Sequence, residues 1–498
     1  VSSLAPTSVS SGAHDAKVPR RNTFLNYAAD NVMLALSETS ERENAPSAES
    51  VRARTGMWDR FSHAVHLLGY SLVMSFVGVL YLVFLALLPW AQPGRGASVL
   101  DAALVRNGII VPILVSISVI ASWANIAQYT ELAHEGCSSK YAVVNLACGL
   151  GITILGYGIH ALITAHADLT YFRGEMLLLV VLFIIHVYAE ITLRAKWAAK
   201  DCKQQGRIQS RAPTTTSGAP PAPNAALPQN TMLSLVPIFA VILVGVAYPI
   251  LVIPAFISGT TTTRMLVCLL LHPIVLEAGE ALGRSTKCGI QARELERGEI
   301  TLEQAEKRIV QTSLTSFTFK QLMAIFRRLM VLNMGDAFIA AVVGTSIEEA
   351  LERGYLVEFD RALRRVQGKP ELQGDELRLQ RLVWMCDANQ SAIAELNAIL
   401  FSTFAQLLLQ RQGQLIALGY TAGVPLDAVV VLVQLMVELT LEVGVDMVAM
   451  WAEAEHGIPV THYFRLVHSG KYFMNHAANG IGAAAMALYS FVRYPNFV

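Results

Sequence analysis

The feature that most constrains this chain is a succession of apolar runs about 20 residues long, the length an α-helix needs to cross hydrocarbon. They lie near 66–90, 107–127, 142–165, 175–194, 232–257, 264–283, 391–411, 427–451 and 474–492. Hydrocarbon offers the backbone no hydrogen-bond partner, so such runs form helices that satisfy their own amide groups. Composition agrees: 15% of the 498 residues are charged, where soluble domains carry about a quarter. The expected fold is all-α, a polytopic integral membrane bundle of about nine transmembrane helices with a helical cytoplasmic region.

A tenth run, 329–347, is interrupted by Asn333, Gly335 and Asp336. Loop charge decides how to treat it, because Lys and Arg accumulate on the cytoplasmic side. Arg52, Arg54 and Arg60 precede the first run, and Lys196, Lys200 and Lys203 follow the fourth. The segment after the sixth run is basic on both flanks of 329–347, with Arg327 and Arg328 before it and Arg353, Arg361 and Arg364 after it. A crossing there would carry the second flank outside. The run is therefore expected to be re-entrant or buried, within one cytoplasmic region 284–390.

The expected organisation has six parts. Residues 1–60 are polar and form a disordered tail, and 61–195 is a four-span half. Residues 196–230 form a flexible cytoplasmic linker, since 210–230 is rich in Pro, Ala and Thr. Then come a two-span segment 231–283, the helical region 284–390, and a three-span C-terminal segment 391–498. Within 284–390, Thr301 and Gln304 have the spacing of a capping box. The stretch EEALERGYLVEFDRALRRVQG alternates charged and apolar faces, as a solvated amphipathic helix does.

The run 427–451 contains a conflict. Glu438, Glu442 and Asp446 recur every fourth residue, and no Lys or Arg lies between Asp427 and His456. A helix advances 100° per residue, so the three carboxyls share one face, to which Glu453 returns. Facing lipid, each would cost several kcal/mol, so the face must look into the bundle or a watery cavity. Like charges so close repel, and a proton or cation relieves them. The competing expectation is that neighbouring His, Ser or backbone groups satisfy them. The sixth run adds LHPIVLEAGEALGR, with His272, Glu277 and Glu280 on one side of a helix that Pro273 interrupts. Glu280 and Arg284, four apart, can simply pair. Glu277 and His272 are the expected partners of the acidic face. His186 and Glu190 are four apart in the fourth run, a spacing that suits a shared metal or, with Arg194, an interfacial ion pair.

Other chemistries lack their signatures. The chain has no GxxxxGK[ST], GxSxG, HExxH or paired CxxC, and its six cysteines are scattered. No cofactor is expected, and an enzyme is disfavoured. Zero net charge gives no reason to expect nucleic acid. The reading is a multi-pass membrane transporter or channel that moves protons or cations through an acidic intramembrane face. The alternative is a sensory or signalling membrane protein acting through its basic cytoplasmic region. Expected partners are the lipid bilayer and protons or small cations. The pattern is also compatible with a homo-oligomer and with a cytoplasmic protein docking at 284–390.

Overall fold

The structure is a computed structural model. It describes residues 56–87, 247–298, 300–410 and 428–463, with isolated residues at 147, 151, 155, 243–244, 473, 476–477, 479–484 and 487. Every regular element among the described residues is helical. In chain order they are α1 (Met57–Leu87), α2 (Ile253–Ser258), α3 (Thr261–Leu266), α4 (His272–Glu296), α5 (Leu302–Leu332), α6 (Phe338–Val366), α7 (Gly374–Ala405) and α8 (Ala428–Glu455).

Local chemistry sets many of the boundaries. A widened π-helical turn, Val267–Leu271, joins α3 to α4. It immediately precedes Pro273, whose missing N–H breaks the regular ladder. The capping box at Thr301 forms: its Oγ1 accepts from the Gln304 amide at 3.3 Å, and its own N–H donates to the Gln304 side chain at 3.0 Å. Between α5 and α6 the chain bends by 117°. The break falls at the residues that interrupt the 329–347 run, and Gly335 turns there with φ +59°.

Helix α7 is the centre of the packing. It contacts α1, α4, α5 and α8, while α6 packs against α8. Two glycines permit close approach between neighbours. A Cβ on Gly279 of α4 would run into the ring of Phe319 on α5, and one on Gly344 of α6 would come within 2.9 Å of Leu269. The helices of 284–390 therefore do not stand apart from the apolar runs but pack among them.

Among the described residues, four helical stretches are long and apolar enough to cross a membrane: Met57–Val83, Thr261–Glu296, Gly374–Leu408 and Ala428–Glu455. The bent pair Ser316–Leu332 and Gly335–Val366 makes five if it counts as one span. They overlap the runs expected at 66–90, 264–283, 391–411 and 427–451. The runs 107–127, 142–165, 175–194, 474–492 and half of 232–257 lie outside the described residues, apart from isolated positions. So do most of the tail 1–60 and the whole linker 196–230.

The distribution of side chains is inverted relative to a water-soluble bundle, whose helices turn their apolar stripe inward. Helix α6 exposes Ile339, Val343, Ile347, Leu351, Tyr355 and Phe359, spaced four apart, and buries Glu349, Arg353 and Asp360. Over 349–360 the segment departs from the expectation of a helix with solvated charges by burying Glu349, Arg353 and Asp360, while Arg361 and Arg365 beyond it stay exposed. Helix α8 likewise exposes Val433, Met436, Val437 and Trp451 and buries Glu438, Glu442, Asp446 and Glu453.

Candidate functional site

The charged faces of α4, α5, α6, α7 and α8 turn toward one another. Six cations are buried there: Arg284, Lys287, Lys320, Arg327, Arg328 and Arg353. They meet nine buried carboxylates, Glu280, Glu349, Asp360, Asp387, Glu395, Glu438, Glu442, Asp446 and Glu453, before the half-buried Glu277, Glu348 and Glu352 are counted. Two clusters emerge, and α6 contributes to both.

The first cluster surrounds Arg284. Its guanidinium donates to Glu277 at 2.5 Å, to Asp387 at 2.8 Å and to Asp360 at 3.1–3.3 Å. Glu280 is 3.5 Å from Arg284 but 2.5 Å from Lys320, so the pair expected from i,i+4 spacing is the weaker of its two contacts. Lys320 also reaches Asp387 at 3.2 Å and donates to Ser391 at 2.6 Å. Asp360 accepts further bonds from Trp384 Nε1 at 2.7 Å and Gln380 at 3.3 Å. Lys287 donates to Ser316. Carboxylate oxygens of Glu277, Glu280 and Glu352 lie within 4.8 Å of one another here.

The second cluster lies on the acidic face of α8. Arg328 donates to Glu442 Oε2 at 2.9 Å, and Arg353 donates to Asp446 Oδ1 at 2.5 Å and to Glu453 at 3.0 Å. Arg327 binds Glu395 and Glu348, the latter at 2.6 Å. The sequence of α8 offers its carboxyls no local cation, and the fold supplies two from α5 and α6. The supply is incomplete. Among the described residues, both oxygens of Glu438, both of Glu349, Oε1 of Glu442 and Oδ2 of Asp446 are buried without a hydrogen-bond partner. Oxygens of Glu349, Glu442 and Asp446 approach within 4.8 Å of one another.

The expected site residues are therefore divided. Glu438, Glu442 and Asp446 share a face as expected, whereas Glu277 belongs to the Arg284 cluster. His272 is fully buried, its Nδ1 3.0 Å from the Tyr248 hydroxyl, with its ring edge-on to the Tyr248 ring. His186 and Glu190 lie outside the described residues.

Sequence reasoning missed Glu349, Asp360, Asp387 and Glu395 as members of the site, and Arg327, Arg328 and Arg353 as its cations. One signal was available for α6. Its apolar residues recur every fourth position over six turns, longer than a partly solvated helix requires, and that places Glu349, Arg353 and Asp360 on the other side.

No protein family, curated protein or solved structure matches this chain. The site is accordingly read from its own geometry.

Proposed function

We propose that this chain is a multi-pass membrane protein that moves protons or small cations along the carboxylate face of α8. The observation that carries the reading is the inversion of α8: lipid-compatible side chains outside, and Glu438, Glu442 and Asp446 inside with oxygens that no side chain among the described residues engages. An uncompensated ion buried in protein costs several kcal/mol. Among the described residues of the two clusters, nine buried carboxylates stand against six buried cations, which is untenable if all are ionised. Protons or bound cations relieve the surplus, and a surplus relieved by mobile ions is a means of conduction or coupling. Glu349 extends the acidic face onto α6, and Glu277 joins it less directly, through the cluster that α6 shares. The exposed apolar stripes of α6 and α8 supply the lipid-facing surface. The nine-span arrangement, with 329–347 re-entrant, belongs to the same proposal and rests on the apolar runs, with less support from loop charge now that Arg327, Arg328 and Arg353 prove buried.

Ion flux in proteoliposomes, normalised to folded protein, tests the reading. Glu442→Gln keeps the shape of the side chain and removes its charge, and it is expected to abolish flux. Glu438→Gln, at the end of the stripe and without a guanidinium of its own, is expected to retain flux with an altered pH profile. Wild-type flux in Glu442→Gln overturns the proposal.

A further inference from the structure

Glu349 supplies an observation that the acidic stripe alone does not. Its side chain is buried, yet neither carboxylate oxygen accepts a hydrogen bond, and Arg327 stands 3.6 Å away, beyond hydrogen-bonding distance. It approaches from α6 the two carboxylates that α8 presents, and an oxygen of each lies within 4.8 Å of the others. Arg328 holds Glu442 by Oε2 and Arg353 holds Asp446 by Oδ1, so in each case the opposite oxygen is left over. This is the arrangement of ligands fixed by outer partners: one oxygen is anchored and the other is free to coordinate.

We propose that Glu349, Glu442 and Asp446 form a binding site for a hard divalent cation. The inference deepens the ion-path reading, from which it takes the acidic face as the route to the site, and it names the class of ion. All three donors are carboxylate oxygens, with no imidazole or thiolate among them, which suits calcium, magnesium or manganese rather than zinc or copper. A separation of up to 4.8 Å between donors fits one ion at the oxygen distances typical of calcium, about 2.4 Å. Three negative charges call for more than one positive charge, and the two arginines are already engaged by the outer oxygens. The Glu277, Glu280 and Glu352 group is the weaker candidate. Glu277 and Glu352 are only half-buried, and no member of that group has both oxygens without a hydrogen-bond partner among the described residues, as Glu349 has.

The test is Mn²⁺ binding to the purified full chain in detergent, followed by electron paramagnetic resonance, with Ca²⁺ and Mg²⁺ as competitors. The expected result is one tight Mn²⁺ per chain, displaced by Ca²⁺. Glu349→Gln is expected to weaken it by about tenfold or more, while the surface variant Glu376→Gln leaves it unchanged. Glu349→Asp retains the charge but withdraws it by one methylene, so weakened yet measurable binding is expected, which guards against a folding artefact in the glutamine variant. Absence of Mn²⁺ binding at millimolar concentration, or equal affinity in folded Glu349→Gln, overturns the site. A wild-type proton current that Glu442→Gln abolishes, without any Mn²⁺ binding, sinks the metal site and leaves the ion path standing. Mn²⁺ binding lost in Glu349→Gln, with flux unchanged in Glu442→Gln, supports the site and sinks the path.

Discussion

Around Arg284, Asp360 and Asp387 have both oxygens engaged, by Arg284, Lys320, Trp384 and Gln380. Around Glu442, on the other side of α6, Glu349 and Glu438 have neither oxygen engaged, and Glu442 and Asp446 have one each. Both clusters are buried and both are assembled from acidic and basic residues of the same helices. The difference is one of degree: among the described residues, one oxygen each of Glu277 and Glu280 is left over around Arg284, against six oxygens on Glu349, Glu438, Glu442 and Asp446. A nearly saturated ionic cluster fixes helices in one register, because removing a cation from it leaves buried charge poorly compensated. A cluster with spare oxygens has capacity left for a ligand that the chain does not itself contain. The first cluster has the form of a fastener for α4, α6 and α7, and the second is the one to which the proposed function is assigned.

The largest effect is expected where the fastener loses its hub. Arg284→Met takes from Glu277 its ion-pair partner and from Asp360 and Asp387 one partner each, and is expected to destabilise the fold by about 3–5 kcal/mol. Chemical unfolding in detergent, or loss of monodisperse protein on purification, reads this out. A midpoint within error of wild type would mean that the Arg284 cluster fastens nothing.

A smaller loss is expected from Trp384→Phe. It removes one charge-assisted bond to Asp360 while Arg284 and Gln380 remain, at a cost of about 2 kcal/mol. If its cost matches that of Arg284→Met, the cluster depends on the packing of the indole rather than on ion pairing.

The smallest effect is expected on the unsaturated side. Glu349 accepts no hydrogen bond and repels Glu442 and Asp446, so Glu349→Gln is expected to leave metal-free stability within about 0.5 kcal/mol or to raise it. A loss comparable to that of Arg284→Met would erase the contrast between the two clusters.

Several particulars were legible in the sequence. The capping box at Thr301, the break at Asn333 to Gly335 and the shared face of Glu438, Glu442 and Asp446 follow from local rules, since each depends on residues within one or two turns. The cations of the site were not legible. Arg328 and Glu442 are 114 positions apart, and Arg353 and Asp446 are 93 apart, so no spacing rule links them. Charge in 284–390 was therefore read as loop charge. In the fold Arg284, Lys320, Arg327 and Arg353 point inward to carboxylates on other helices. For the same reason the helices outrun the apolar runs that announce them. Helix α4 continues to Glu296, past the end of the run at 283, because Arg284 and Lys287 find polar partners inside the bundle.

By itself the sequence determined the helical character of this protein, the apolar faces its helices present and the acidic stripe of α8, because these follow from periodicity and from the cost of leaving backbone or charge unsatisfied. The tertiary structure alone decided which carboxylates are paired and which are left with free oxygens. That outcome depends on which distant helix brings an arginine within 3 Å, and Coulomb attraction in a buried site is set by that distance and by the exclusion of water, neither of which a linear chain specifies.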